Sequence, residues 1–193
     1  MEGRDLGKEI IEAARGLFIA HGYRGLSMRE IAVAVGVSKP ALYYHFKDKE
    51  ELFLAILTAY LEELGELLEG SGSRGGGYRE RVRGIVSDIL HQPCEQRALI
   101  RLGSQEVGHL SVKAQDAFYK VYYKQFIGKL ENILKTGMDR GELRRMDASV
   151  ATWALLGIIY PYLYPTDMND EPLLDETIDG LLSIYFEGVE VKN

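Results

Sequence analysis

Residues 27–52 read SMREIAVAVGVSKPALYYHFKDKEEL, and the spacing inside this stretch decides how the chain begins to fold. Ser27 with Glu30 three residues later is the capping-box pattern, in which side chain and backbone exchange hydrogen bonds at a helix N-terminus. The helix it opens buries Ile31 and Val35, four residues apart on one face. Gly36 ends it, where a left-handed turn would disfavour a side chain. Val37 plugs the turn, Ser38 caps a second short helix, and Pro40 is tolerated in its first turn. Leu42 and Phe46 give that second helix its inward face. Three adjacent rings with polar tips remain: Tyr43, Tyr44 and His45. Neighbouring helix positions point about 100° apart, so a core cannot take all three. At least one faces outward. Two helices across a glycine-centred turn, with Lys39 and these rings off the core, read as a helix-turn-helix with a DNA-facing surface. Tyrosine hydroxyls can donate to phosphate oxygens while their rings cover sugar or thymine methyl groups, and Lys39 can reach a phosphate or a base edge.

Charge follows the same division. The chain carries −6, yet residues 15–49 hold six basic side chains against Glu30 and Asp48, a local +4 that leaves −10 elsewhere. A basic end on an acidic body suits a DNA-binding head joined to a different module.

Working outward, helical periodicity dominates and no convincing period-two run occurs. A first helix over about 5–21 carries Ile10, Ala14, Leu17 and Phe18 on one face and stops at Gly22. Asp48, with Glu51 three residues on, caps a long fourth helix through Leu52, Ile56, Tyr60 and Leu64 to about 69. Five more are predicted at about 78–91, 93–103, 111–137, 148–163 and 171–189. The fold class is therefore all-α, about nine helices. A three-helix head over 1–47 precedes a helical body over 48–193, with 48–69 as the connecting helix. GSGSRGGG at 70–77 reads as a flexible connector, since no Gly-Lys-Ser/Thr follows and no strand precedes it. In the last helix Leu174, Ile178, Leu181, Leu182, Tyr185 and Val189 form a broad apolar stripe. The preceding helix, with Ala151, Ala154, Leu155, Gly157 and Ile158, allows close approach. Paired with their copies, 148–163 and 171–189 would make a four-helix interface and a two-fold homodimer.

No apolar run approaches the ~20 residues of a membrane span, and the charged N-terminus is unlike a secretory signal, so the cytoplasm is the default compartment. Cys94 is the one cysteine and reads as a buried thiol. No catalytic set is found, nor any cofactor motif. His21, His45, His91 and His109 show no metal-site spacing, so neither an enzyme nor a metal protein is expected. His91 and His109 flank the sixth helix, with structural roles or ligand contact as the two readings. The body is rich in rings: Phe118, Tyr119, Tyr122, Tyr123 and Phe126 crowd one helix, and Trp153 leads another group. Buried tyrosines need hydroxyl partners, so Tyr119, Tyr122, Tyr123 and Trp153 are candidate walls of a partly apolar ligand pocket.

Residues 10–57, IIEAARGLFIAHGYRGLSMREIAVAVGVSKPALYYHFKDKEELFLAIL, resemble the N-terminal domain of the tetracycline-repressor (TetR) family of bacterial transcription regulators. The likeness covers about a quarter of the chain and rests on Gly22-Tyr23, Ser27, Ile31-Ala32, Gly36-Val37-Ser38, Leu42 to Phe46 and Lys49 to Leu52. A weaker match, Gly137 to Leu143 followed by Asp147, recurs before the family's dimerisation helices. The resemblance implies that the third helix enters the major groove. It implies DNA contacts from Ser27, Arg29, Ser38, Lys39, Pro40, Ala41, Tyr43, Tyr44, His45 and Lys49. It implies a dimer on a near-palindromic double-stranded operator, and a repressor released when a small-molecule ligand enters the body. A DNA-binding scaffold governed by a protein partner is the alternative. A helical enzyme with a vestigial head would need a catalytic pair in the body, and no candidate stands there.

Overall fold

The computed structural model describes residues 5–72, 76–163 and 173–189, whose regular elements are all helices. They are α1 Leu6–His21, α2 Met28–Val35, α3 Lys39–His45, α4 Lys49–Gly72, α5 Tyr78–Leu90, α6 Cys94–Glu106, α7 Val112–Tyr122, α8 Gly128–Asp139, α9 Ala148–Ile159 and α10 Asp175–Val189. A π-helical turn, Tyr123–Ile127, joins α7 to α8 without a break, so these segments form the nine rods that periodicity predicts. Short 3₁₀ turns follow α6 at Val107–His109 and α9 at Tyr160–Leu163. The predicted connector at 70–77 begins inside α4, and residues 73–75 lie outside the described residues, as do 171–172 of the last predicted helix.

Local chemistry sets the helix ends. Asp5 caps α1 by accepting from the Gly7 and Lys8 N–H groups. At α2 the predicted box is complete: Glu30 N–H donates to Ser27 Oγ at 3.3 Å, and Glu30 Oε2 accepts from Ser27 N–H at 2.8 Å. Gly36 takes φ +78°, the left-handed cap anticipated there. Ser38 Oγ accepts from Ala41 N–H at 3.2 Å with Pro40 in the first turn. Before α4, Glu51 N–H donates to Asp48 Oδ1 and Lys47 N–H donates to Glu51 Oε2, both at 2.8 Å.

Tertiary contacts divide the chain into two compact units, Met1–Tyr60 with Ala98–Val121, and Leu61–Arg97 with Tyr122–Asn193. The boundary expected at 47/48 lies inside the first unit, and the later part of α6 with most of α7 joins the head there. In this unit Ile10, Ala14 and Phe18 of α1 are buried together with Ile31, Leu42, Leu52, Phe53 and Ile56. Phe53 meets Phe18 and Tyr23 with ring centres 5.1 and 5.0 Å apart. Burying rings of this size supplies much of a small domain's hydrophobic stabilisation.

The second unit buries α5 through Val82, Ile85, Val86 and Ile89, α8 through Leu130 and Leu134, and α9 through Ala151, Leu155 and Ile159. Arg97 donates to the Gln92 and Tyr162 carbonyls at 3.1 and 3.4 Å, and His91 Nε2 donates to the Leu173 carbonyl at 3.0 Å. The stripe assigned from sequence to a second copy is corrected here. Ile178, Leu182 and Tyr185 are buried within the chain, where α10 packs on α5 and α9. The outward face of α10 carries Ile184, 68% exposed, between Gly180 and Gly188, both exposed too. The Val189 side chain lies outside the described residues. Periodicity reports that a face is buried, and here the chain's own helices bury it.

Candidate nucleic-acid interface

Helix α3 is only seven residues long, and its core side is spent on Leu42 with Phe46 at its cap, both buried. What remains projects away. Tyr44 is 87% exposed, Tyr43 is exposed beside it, and Lys39 Nζ sits 5.7 Å over the Tyr43 ring. Pro40 and Ser38 are exposed at the helix start, and Ala41 is half-buried between them and Leu42. Arg29 is exposed in the first turn of α2. Seven of the ten expected contacts, Arg29, Ser38, Lys39, Pro40, Ala41, Tyr43 and Tyr44, therefore lie on the accessible part of the helix-turn-helix.

The other three are tied back into the fold. Ser27 donates its hydroxyl proton to Glu30 Oε2 at 2.7 Å while accepting from Glu30 N–H, so the cap uses the one proton a phosphate contact would need. The Ser27 hydroxyl and the Ser27 backbone N–H, both donating to Glu30 Oε2, hold the Glu30 carboxyl below the usual carboxylate range. His45 is half-buried, and a Cβ on Gly7 of α1 would come within 3.3 Å of its Nδ1. Its ring lies against the first turn of α1, edge-on to Tyr44 at 5.3 Å.

Lys49 departs furthest from expectation. Its Nζ donates to the Tyr23 and Leu26 carbonyls at 2.7 Å each and lies 4.4 Å over the Tyr23 ring. Burial pushes its pKa below the usual lysine value, against the opposing pull of Glu106 and Glu30. The turn between α1 and α2 leaves these carbonyls without helical partners, and the ammonium supplies donors to both. Two further residues reach this turn from far along the chain. Arg24 Nη2 donates to His109 Nδ1 at 3.2 Å, and His109 Nε2 lies 3.8 Å from Glu106 Oε2. Neither Glu106 nor His109 carries a sequence signal for such a role. Among the described residues no group of three or more His, Cys, Asp or Glu is placed to hold a metal ion.

The rings proposed as pocket walls stand differently. Tyr119 and Tyr123 are exposed, the latter donating to Glu131 Oε2 at 2.8 Å, and Trp153 is 52% exposed on α9. Tyr122 is half-buried beside Phe126, with ring centres 5.7 Å apart. Phe118 and Phe126 are both buried.

A short helix with its core contacts complete, held across a glycine turn and baring lysine and tyrosine, defines a helix-turn-helix DNA-binding protein. Residues 10–56 match the family model of bacterial regulatory proteins of the tetR family, and residues 75–160 match the tetracyclin repressor-like C-terminal domain. The chain belongs to the TetR family, and it is a regulator of transcription rather than an enzyme. It is 26% identical over 183 residues to the helix-turn-helix-type transcriptional regulator YhgD of Bacillus subtilis, covering 94% of each chain. The transcriptional repressor AcnR of Corynebacterium glutamicum is 37% identical over 81 residues, 42% of this chain and only 40% of that protein. Among solved structures, AibR in complex with isovaleryl coenzyme A and operator DNA is 25% identical, with a TM-score of 0.76 over 93% of this chain and 97% of that one. No helix among the described residues is long and apolar enough to cross a membrane.

Proposed function

We propose that this regulator is a repressor that occupies a near-palindromic operator as a homodimer and leaves it when a small-molecule ligand binds the C-terminal body. One observation carries the reading: Lys39, Tyr43 and Tyr44 are bared on a helix whose inward contacts are already made by Leu42 and Phe46. One such face offers few base contacts, and specific binding usually takes two half-sites about 34–36 Å apart, one turn of B-DNA. The second copy would dock on the outward faces of α9 and α10. There Val150, Trp153 and Ile184 are exposed apolar side chains, with Ala154, Gly157, Gly180 and Gly188 exposed alongside to permit close helix approach.

The repressive sense follows AcnR, and the ligand class to test first is an acyl-coenzyme A thioester, after AibR. Helix α4 is the proposed lever. It begins at Lys49, just beyond the Phe46 cap of α3, and continues unbroken to Gly72. Release requires that ligand bind the DNA-free conformation better, and a hundredfold preference corresponds to about 2.7 kcal/mol. By reciprocity operator DNA weakens ligand binding by the same factor.

Selection of bound duplexes from a random library, followed by an acyl-coenzyme A panel, tests the reading. An inverted repeat bound by two chains and released by one of the thioesters is expected. One chain's mass by light scattering, with operator binding intact, would refute the dimer. An operator complex indifferent to every thioester and to a wider small-molecule panel would shift the case to control by a protein partner.

A further inference from the structure

The geometry points to Glu106 and His109 as positioning residues for operator binding, which hold the turn between α1 and α2 from outside the helix-turn-helix. The inference rests on the DNA-binding reading above and adds to it the part of the chain that keeps the reading head in shape. Both residues lie at the corner where α6 ends and the 3₁₀ turn leads towards α7, and this corner belongs to the same compact unit as the head. The turn they reach, residues 22–26, runs directly into the Ser27 cap and so sets where α2 and Arg29 begin.

Glu106 enters under the start of this turn. Its Oε1 lies 3.0 Å from where a Cβ on Gly22 would stand, and Gly22 has φ +68°, so a side chain there would crowd Glu106 and strain the backbone. The other oxygen, Oε2, is shielded from solvent and accepts no hydrogen bond. A shielded carboxylate oxygen without a donor of its own is stabilised by nearby cations and polarised N–H groups. His109 Nε2 stands 3.8 Å away, and Lys49, which holds the Tyr23 and Leu26 carbonyls, feels the charge of Glu106. The corner is fastened independently to α4, since Ser111 donates through its N–H to Glu50 Oε1 and through its hydroxyl to Glu50 Oε2 at 2.8 Å. It therefore acts on the turn from a fixed base.

His109 adds a second grip. Its Nδ1 accepts from Arg24 Nη2 at 3.2 Å while Nε2 faces Glu106, and these contacts select the neutral tautomer with the proton on Nε2. The charged groups that meet this ring are Arg24 from the turn and Glu106 from α6, and Lys49 of α4 feels the charge of Glu106 in turn.

The test uses the full-length protein and two readouts. Hydrogen exchange of the free protein should show the peptide spanning 22–30 exchanging faster in Glu106→Gln and in His109→Leu, with melting otherwise retained. Anisotropy with a duplex selected from a random library should show each variant weakening binding roughly fivefold at about pH 8, the size of one ordinary hydrogen bond's net contribution. His109→Asn, whose amide oxygen can still accept from Arg24, should recover most of that loss. Unchanged exchange at 22–30 overturns the inference whatever the DNA result. Faster exchange with unaltered affinity overturns it as well, and a His109→Asn that binds no better than His109→Leu overturns the role of His109. If no duplex were selected at all, the DNA-binding reading would fail, and exchange at 22–30 would still decide whether the corner holds the turn.

Discussion

Helices α3 and α10 both carry adjacent rings, and they treat them in opposite ways. In α10 Tyr185 and Phe186 are both buried, Tyr185 at 3% exposure with its hydroxyl donating to the Ala151 carbonyl at 3.1 Å. At the end of α3 the capping Phe46 turns inward, while Tyr44 within the helix stands 87% exposed with its hydroxyl offered to solvent. Length explains the difference. The 15 residues of α10 pack against two neighbours, so adjacent positions pointing about 100° apart can both find protein. The seven residues of α3 have one side to bury, and Leu42 with Phe46 fills it. Rings that a short helix cannot bury are left for something outside the fold, whereas a ring with its polar tip satisfied inside belongs to the core.

The contrast breaks most visibly at Leu42. Leu42→Ala should destabilise the head by about 2–5 kcal/mol through the cavity it leaves, seen as a lower urea midpoint. If Tyr44→Phe unfolded the head and Leu42→Ala did not, the two faces of α3 would have to be exchanged.

The inward tyrosine gives the next largest effect. Burial pushes the Tyr185 hydroxyl up to about 12. The unfolded chain loses this proton first, so the stabilisation is complete below about pH 10 and is lost as the pH rises through about 12. The rise from about 10 to about 12 corresponds to at most about 2–3 kcal/mol. Urea midpoints between about pH 9 and 11.5 should fall for the wild type and fall less for Tyr185→Phe. Parallel curves would mean that Tyr185 is not sealed as described.

The smallest effect belongs to the outward ring. Tyr44→Phe should leave the urea midpoint in place and weaken operator binding by about 1 kcal/mol, roughly fivefold, as one hydroxyl-to-phosphate bond is lost. An unchanged operator affinity would assign the hydroxyl to solvent alone.

These regions also differ in how legible they were. The caps at Ser27, Ser38 and Asp48 could be read because capping is settled within three residues of chain. The outward rings of α3 followed from simple geometry on a short helix. Lys49 could not be placed, because its acceptors are carbonyls 26 and 23 residues away that become available only once α1 and α2 have met. The Arg24–His109 contact spans 85 residues and leaves no periodic trace. The stripe of Ile178, Leu182 and Tyr185 was legible as buried, but a hydrophobic period does not say whether a helix of the same chain or of a second copy covers it. Along the aromatic rod Phe118 and Phe126 are buried while Tyr119 and Tyr123 are exposed, a division that ring composition alone does not carry.

Trp153 is the chain's lone tryptophan, and it stands half exposed on the outward face of α9. An indole in water emits further to the red than one covered by protein, and this chain has no second indole to blur the signal. Whatever covers that face of α9 will shift the colour of the protein's own fluorescence, with no label attached. Dilution followed by emission wavelength thus turns one side chain into an optical gauge of how much of the surface is in contact with a partner.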